Sequence, residues 1–179
     1  GTSGDPKGVK VSHRSVENLI FWMKQNLSIE RGKVLGTASY AFDMFVAEFF
    51  FALSFGHCYY LADEKEKKDP KALAQLVGKT NPAFMQATPS LWGYLLPMLS
   101  KHQGVAVVGG EPLSKVLKDK LVQSFSKVWN LYGPTEATVW ASAKPLDEKS
   151  DISIGTPISN SRFYVLDNLL LPVPKGIPG

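Results

Sequence analysis

The first eight residues, GTSGDPKG, combine three glycines, two hydroxyl side chains and a lysine. Glycines permit positive φ angles and leave backbone N–H groups open to a ligand, and successive N–H groups form an anion-binding nest. Thr2 and Ser3 add hydroxyl donors, and Lys7 adds a positive charge. The stretch therefore predicts a phosphate-binding loop that includes Gly1 and Gly4, although it lacks the GK[ST] ending of a Walker loop. A plain polar turn is the alternative interpretation.

Four further stretches that could do chemistry each follow an apolar segment. They are YAFD at residues 40–43, QATP at 86–89, GGEP at 109–112 and YGPTE at 132–136. In parallel sheets, ligands bind at the carboxyl ends of the strands, so neighbouring strands would bring these stretches to one crevice. The crevice would hold carboxylates, an aromatic ring, a hydroxyl and open amides. This set predicts a nucleotide site with Mg²⁺.

Each of these groups also has a structural interpretation when it is taken alone. Gly109 and Gly110 are compatible with a simple turn, and Tyr132 with a core position. Glu111 and Glu136 are suitable acids for the first turn of a helix, where they complement the helix dipole. Asp43 is suitable as a helix N-cap. Only the combination with the opening loop favours the nucleotide site.

The segments between these stretches alternate between helical spacing and short apolar runs. Helices are predicted after Ser12 and Asp43 and at 71–79, 88–99 and 113–125; strands at 34–39, 57–62, 83–87, 105–108 and 128–133. Cys58 is expected to be buried in its strand, and the charged run at 63–70 to form a solvated loop. Continuous apolar strands between helices indicate an α/β fold with a mostly parallel sheet covered by helices on both faces.

Composition narrows the class of protein. The 179 residues are 44% hydrophobic and 20% charged, with a net charge of +4, which indicates one globular domain and no nucleic-acid partner. No apolar run reaches the roughly 18 residues that a membrane span requires. A single cysteine excludes an internal disulfide and favours a reducing, cytoplasmic location.

Five motifs, in order, carry a family resemblance. They are GTSGDPKG with His13 after it, the FD pair ending at Asp43, GGEPL, NLYGPTE and IGTPI. Together they resemble the adenylation domains of nonribosomal peptide synthetases, in the adenylate-forming, AMP-binding superfamily. The resemblance implies part of the large N-terminal domain of such an enzyme. It also implies an activity in which an amino acid attacks the α-phosphorus of ATP, pyrophosphate leaves, and the aminoacyl group passes from AMP to a carrier-protein thiol.

The resemblance implies ATP and Mg²⁺ as cofactors and gives roles to individual residues. The phosphate loop would consist of Gly1, Thr2, Ser3, Gly4 and Lys7. The adenine would be bordered by Gly110, Glu111, Pro112 and Gly133, with Tyr132 stacked on it. Thr135 would touch a phosphate, and Glu136 would bind Mg²⁺. Hydroxyls, amides and a metal carboxylate suffice for this chemistry, because adenylyl transfer depends on positioning and charge neutralisation.

The resemblance also implies an amino-acid pocket, in which Asp43 pairs with the α-ammonium of the substrate. Its walls would be Asp43, Met44, Ala47, Gln86, Val107, Gly109, Leu131, Val139 and Trp140. Gln86 and Trp140 would narrow the pocket, and the combination of Gln86, Gly109, Leu131 and Trp140 resembles pockets that take glycine. Ala47 would reopen some space. The expected substrate is glycine or another small amino acid.

Later motifs of the family are absent from these residues, including the TGD aspartate that holds the ribose and the small C-terminal domain with its catalytic lysine. Residues 1–179 are therefore predicted to be a central subdomain, truncated at both ends and inactive in isolation. Two alternatives stay open: an acyl- or aryl-CoA ligase of the same superfamily, and a non-catalytic nucleotide-binding module.

Overall fold

A seven-stranded sheet forms the centre of the computed structural model, which describes residues 8–178. The strands are β1 (Lys33–Gly36), β2 (Cys58–Leu61), β3 (Phe84–Ala87), β4 (His102–Gly109), β5 (Phe125–Tyr132), β6 (Ser142–Leu146) and β7 (Thr156–Pro157). Their spatial order is β2-β1-β3-β4-β5-β6-β7. The first five are parallel, and β6 and β7 are antiparallel to their neighbours. The predicted α/β class with a mostly parallel sheet is confirmed.

Within residues 8–178, six α-helices connect or flank these strands. They are α1 (His13–Asn26), α2 (Met44–Ser54), α3 (Glu64–Lys68), α4 (Pro70–Thr80), α5 (Pro89–Leu95) and α6 (Lys115–Ser124). The side chains of Ser12, Thr88 and Ser114 accept hydrogen bonds from the first turns of α1, α5 and α6. These caps satisfy backbone N–H donors that the first turn of a helix leaves unpaired. A Ser or Thr at these positions therefore indicates where each of the three helices begins.

The helices cover both faces of the sheet, and each face has its own core. On one face, Met23 of α1 and Phe51 of α2 pack in the cluster that contains Val107 of β4. On the other face, α4, α5 and α6 contribute to the cluster that contains Ala106. Because successive strand residues point to opposite faces, β4 supplies both cores in alternation. The covering of both faces agrees with the prediction.

The charged run at 63–70 contains no buried residue, as expected for a solvated segment, but it is not the loop that was predicted. It forms α3, because the side chains and backbones of Asp63 and Glu66 make a reciprocal capping box. Glu64 also lies within 4.0 Å of the ammonium groups of Lys67 and Lys68, one helical turn away. Local side-chain hydrogen bonding thus makes a short helix from a segment with no apolar stripe.

Two further expectations were wrong. Cys58 is exposed, and its strand β2 is only partly buried. Among the described residues β2 pairs with β1 alone, because it is the outermost strand of the sheet. Phe125, predicted on the last helical face, is instead the first residue of β5, since α6 ends at Ser124. Cys58 was thus predicted in the correct strand but with the wrong exposure, and Phe125 was predicted in the wrong element.

Within residues 8–178, no helix combines the length and apolar character required to cross a lipid bilayer.

Candidate functional site

The carboxyl ends of β1, β3, β4 and β5 lie side by side, since these strands are consecutive neighbours in the sheet. The stretches at 40–43, 86–89, 109–112 and 132–136 follow or end these four strands. The predicted convergence on one edge of the sheet is therefore observed. The proposed phosphate-loop residues Gly1, Thr2, Ser3, Gly4 and Lys7 lie outside the described residues.

At the carboxyl ends of these strands, one part of the site is built from residues on a single face of the sheet. Gln86 of β3 is paired in register with Val107 of β4, and Gly109 of β4 with Leu131 of β5. All four are buried. Ala47 on α2, with Val139 and Trp140 from the loop after β5, packs in the same core. We call this group, together with Asp43 and Met44, the amino-acid side of the site.

The amino-acid side is closed by direct contacts. Trp140 Nε1 donates to Gln86 Oε1 at 3.3 Å, and Gln86 Nε2 donates to the Met44 carbonyl at 2.7 Å. The Trp140 ring lies so close to Gly109 that a Cβ there would be 2.8 Å from it, and only 2.4 Å from the carbonyl oxygen of Leu131. The space above Gly109 is thus filled by the indole.

The loop after β5 turns Trp140 into this core through unusual backbone geometry. Thr138 and Val139 both have positive φ, at 62° and 66°. For a β-branched residue such as Val139 this conformation is strained, and such strain clusters at functional sites. Gly133 permits the return of the chain, because a Cβ there would lie 2.4 Å from the Val139 carbonyl oxygen.

Asp43 and Thr135 are 92 residues apart in sequence, yet Thr135 Oγ1 donates to Asp43 Oδ2 at 2.5 Å. Asp43 precedes α2 without capping it through its side chain. Its carboxylate is therefore used across the site, and the helix-cap alternative does not describe it. This contact joins the residue expected to meet the substrate ammonium to the residue expected to meet a phosphate.

A buried carboxyl, Glu48, lies beneath the amino-acid side on α2. Its Oε2 accepts from the Ala38 N–H at 3.3 Å, whereas its Oε1 and the nearby Tyr59 Oη have no hydrogen-bond partner within residues 8–178. Burial raises the pKa of Glu48 to about 8. Burial, and then the charge of Glu48, also raises the pKa of Tyr59. Glu48 is thus a neutral acid over much of the neutral range.

The other side of the edge is an open cavity of about 450 Å³, which we call the base cavity. It is lined by the predicted adenine residues Gly110, Glu111, Pro112, Tyr132 and Gly133, and by Leu131, which was predicted for the amino-acid pocket. The other lining residues, Leu113, Asn130 and 152–154, were not predicted. Asn130 Nδ2 donates to the Ser153 carbonyl at 2.8 Å, so the buried amide fixes the outer wall. Loops supply most of this lining.

Glu111 links two of the strand-end stretches. Its Oε2 accepts from Ser90 N–H at 3.0 Å and from Ser90 Oγ at 2.6 Å, at the start of α5. Burial alone would raise the pKa of Glu111, but these hydrogen bonds outweigh it and hold the pKa below its usual value. Glu111 therefore interacts with the first turn of α5, and not with α6, the helix that follows it in sequence.

Glu136 is exposed on the 3₁₀ turn Thr135–Ala137 and lines a separate polar cavity of about 470 Å³. Ser12, Arg14 and Ser15, at the amino end of α1, line the same cavity. In the part of the chain that the structure describes, no three His, Cys, Asp or Glu side chains cluster as a metal site. One carboxylate still fits Mg²⁺, which is bound through one or two carboxylates together with substrate phosphates.

A cavity of about 570 Å³ lies at the opposite end of the sheet, between Arg31, Gly104 and Lys127. It is lined by the amino ends of the strands and contains none of the predicted site residues. The predicted residues thus occupy the edge of the sheet where parallel α/β folds bind ligands.

The residues that sequence reasoning missed are Glu48, Asn130 and the segment at 152–154. Asn130 stands inside the quoted motif NLYGPTE, so its polarity within an apolar strand was an available signal. Ile152 and Ile154 alternate with polar residues between Asp151 and Gly155, which is also a visible pattern. Glu48 interrupts the apolar helix α2, so its charge within an apolar run was an available signal as well.

The whole chain is similar to one family of enzymes. The family model described as AMP-binding enzyme matches residues 1–179. The chain is 40% identical over 184 residues to a dimodular nonribosomal peptide synthase of Bacillus subtilis and 34% identical over 187 residues to tyrocidine synthase 3 of Brevibacillus parabrevis. These alignments include the whole chain but only 8% and 3% of the two relatives.

Among solved structures, a four-domain nonribosomal peptide synthetase bound to AMP and glycine is similar, with a TM-score of 0.90 at 33% identity. The match covers 98% of this chain and 14% of that one. The similarity therefore extends over the whole described sheet and the edge at which the candidate residues meet.

Proposed function

The chain belongs to the AMP-binding enzyme family and has the fold of a nonribosomal peptide synthetase adenylation domain, and from this we propose its reaction. An amino acid and ATP bind at the carboxyl edge of the sheet. The amino-acid carboxylate attacks the α-phosphorus, the bond to pyrophosphate breaks, and aminoacyl-AMP forms. In the cytoplasm, a carrier-protein thiol then accepts the aminoacyl group and AMP leaves.

The observation that carries this proposal is the contact between Asp43 and Thr135. In an amino acid, the α-ammonium is attached to the carbon next to the reacting carboxylate. A residue that holds the ammonium must therefore be adjacent to a residue that holds the α-phosphate. Asp43 supplies the negative charge that a buried ammonium requires. When the ammonium occupies Asp43, the single hydroxyl proton of Thr135 is released from that carboxylate and donates to a phosphate oxygen instead.

The base cavity suits the adenine of ATP. Its lining is mostly apolar or backbone, with the half-exposed Tyr132 ring available for stacking and Gly110 leaving the backbone open. Glu136 is in the loop that carries Thr135, so a Mg²⁺ ion held there would neutralise phosphate charge near the same hydroxyl. Bound Mg²⁺ supplies charge stabilisation for the leaving pyrophosphate.

The amino-acid side favours glycine or another very small substrate. The indole of Trp140 fills the space above Gly109, and its hydrogen bond to Gln86 holds it there. A larger side chain would have to displace a buried, hydrogen-bonded ring. The solved synthetase that resembles this chain is described as bound to AMP and glycine, which supports the same preference.

The test is amino-acid-dependent exchange of pyrophosphate into ATP. Residues 1–179 would replace the matching segment of a complete adenylation domain, and all common amino acids would be compared. We expect the highest exchange with glycine and a lower rate with alanine, because one methyl group changes binding in such pockets by about 1–3 kcal/mol. Highest exchange with an aromatic amino acid would contradict the proposed pocket.

Substitution of Asp43 separates this proposal from an acyl- or aryl-CoA ligase, whose acids carry no ammonium. In Asp43→Ala we expect the KM for the amino acid to rise about a hundredfold, because the bound ammonium loses its partner. Ser39→Ala, in the same loop, is the matched control and should leave this KM nearly unchanged. An unaltered KM in Asp43→Ala would favour a substrate without an ammonium group.

The non-catalytic alternative applies most directly to the isolated chain. We expect residues 1–179 alone to give no measurable exchange, because the TGD motif with the ribose aspartate and the catalytic lysine of the family are not found among these residues. Equilibrium binding of ATP to the isolated chain and exchange by the complete domain distinguish a binding module from an enzyme segment. Robust exchange by the purified 179 residues would overturn the predicted boundaries.

A further inference from the structure

Lys118 is a buried lysine on α6, with only 1% of its surface exposed. Its ammonium donates to the carbonyl oxygens of Asp147 at 3.1 Å, Glu148 at 3.1 Å and Ser150 at 3.2 Å. It also lies 2.9 Å from Asp119 Oδ1. A buried charge is tolerated only when its donors are satisfied, and this one is satisfied mainly by the backbone of a loop distant in sequence.

The loop that receives Lys118 is itself shaped by hydrogen bonds. The Asp147 carboxylate accepts from the N–H of Lys149 at 2.9 Å, and from the N–H and hydroxyl of Ser150 at 2.7 and 2.8 Å. This arrangement is an Asx-type turn, in which a side chain replaces a backbone acceptor. It directs three carbonyls of the turn toward one point, where the Lys118 ammonium lies.

The chain after this loop forms the outer wall of the base cavity. Residues 152–154 line that cavity, but they lie between β6 and β7 and belong to no strand. Their position depends on side-chain anchors: Asn130 to the Ser153 carbonyl, and Ser142 Oγ to the Ile154 carbonyl at 2.7 Å. Lys118 anchors the same segment from its amino-terminal end.

The opposite wall of the base cavity is connected to Lys118 through its own helix. Residues 110–112 line the cavity, and α6 begins just after them, with Ser114 as its cap. Lys118 thus connects α6, which follows the wall at 110–112, to the loop at 147–150, which precedes the wall at 152–154. Lys118 itself does not line the cavity.

We propose that Lys118 is a positioning residue for the nucleotide base, because it sets the separation between the two walls of the base cavity. The inference rests on the proposed function, which puts adenine in this cavity. A base that stacks between two walls loses contact with one of them when they move apart. The phosphate and amino-acid contacts belong to other loops, so they should be largely independent of Lys118.

The test is a set of KM values in the complete domain that carries this segment. In Lys118→Met we expect the KM for ATP to rise about tenfold, because a wall displaced by about 1 Å loses its contact with the base. The KM values for pyrophosphate and for the amino acid should stay within about twofold, since neither ligand reaches the base cavity. Lys120→Met, an exposed lysine on the same helix, is the matched control and should change none of the three.

Asp147→Ala provides a second variant in case Lys118→Met does not fold. It removes the acceptor that shapes the turn but leaves Lys118 with its carbonyl partners and buries no new charge. We expect the same selective rise in the KM for ATP, and faster amide hydrogen exchange across residues 147–154. A KM for ATP that stays unchanged in Asp147→Ala and in every folded Lys118 variant overturns the inference, as does an equal rise in all three KM values.

These results are distinguishable from a failure of the proposed function. If the unsubstituted domain shows no ATP-dependent exchange, the proposed function itself is wrong. If it exchanges normally and the folded variants retain its KM for ATP, only the role of Lys118 is wrong.

Discussion

Gly109 and Gly110 are consecutive residues at the end of β4, but they belong to different halves of the candidate site. Gly109 is buried on the amino-acid side, where a Cβ would lie 2.4 Å from the Leu131 carbonyl oxygen and 2.8 Å from the Trp140 ring. Gly110 is exposed at the base cavity with φ at 83°, and a Cβ there would meet only a methyl group of Thr88 at 3.7 Å. Gly109 is required because there is no space for a side chain, whereas Gly110 is required because its backbone has a positive φ.

The same contrast distinguishes the two halves as a whole. The amino-acid side consists of side chains that belong to the core of the sheet, so side-chain size and hydrogen bonding decide which substrate fits. The base cavity consists mainly of loops, so the path of the backbone decides its shape. Substitutions should therefore affect stability and substrate choice together on the amino-acid side, and nucleotide affinity on the other.

The largest effect is expected for Trp140→Ala. Loss of a buried tryptophan costs about 3–5 kcal/mol of unfolding free energy, because the cavity it leaves is only partly refilled. The same cavity should let amino acids larger than glycine bind and support exchange. Urea unfolding measures the first effect, and exchange with a series of amino acids measures the second.

Trp92→Ala is the matched control for this change. Trp92 is equally buried but packs in the core on the opposite face, with its Nε1 donating to the Val107 carbonyl at 2.9 Å. We expect a similar loss of stability with no change in the order of preferred amino acids. If Trp92→Ala widened the substrate range as much as Trp140→Ala, general loosening of the fold would explain the result.

Glu48 should make stability depend on pH. Its folded pKa of about 8 lies above the ordinary value of 4.5, so the unfolded chain loses this proton at lower pH than the folded chain. Stability from this group is therefore complete below about pH 4.5 and decreases as pH rises toward 8. In Glu48→Gln the decrease should be absent, a difference of about 3–4 kcal/mol between pH 5 and 8.

Urea unfolding at several pH values measures this difference. Glu17→Gln, an exposed carboxyl on α1, is the control and should retain the pH dependence of the unsubstituted protein. Parallel pH profiles for Glu48→Gln and the unsubstituted protein would show that Glu48 ionises with its ordinary pKa in the folded chain.

The smallest effects are expected for the two glycines, and they test the comparison most directly. Gly109→Ala should cost about 3 kcal/mol, because its methyl group overlaps backbone and a buried ring. Gly110→Ala should cost only about 1 kcal/mol, the penalty of a positive φ for a residue with a side chain. Thermal or urea unfolding measures both.

The two substitutions should also differ in the substrate that they affect. Gly109→Ala is expected to raise the KM for the amino acid, and Gly110→Ala the KM for ATP. If Gly110→Ala proved the more destabilising of the two, the division of the site into a packed half and a loop-built half would be wrong.

Several elements could be predicted because their signals are local. Helices α1 and α4 carry caps and apolar positions at helical spacing, and β4 contains the continuous apolar run VAVV at 105–108. The order of strands made the carboxyl edge the place to look for a site. By contrast, β2 has the composition of a buried strand, and only its position at the edge of the sheet leaves Cys58 exposed.

The motifs by themselves determined the family, the α/β class and the edge of the sheet at which the chemistry-bearing residues meet, because those signals are contained in short stretches and in strand order. The tertiary structure alone decided that Thr135 contacts Asp43, that Trp140 fills the space above Gly109, and that Lys118 holds a distant loop. Each of these contacts joins residues that are remote in sequence, and their energies come from burial and geometry that exist only after the chain has folded.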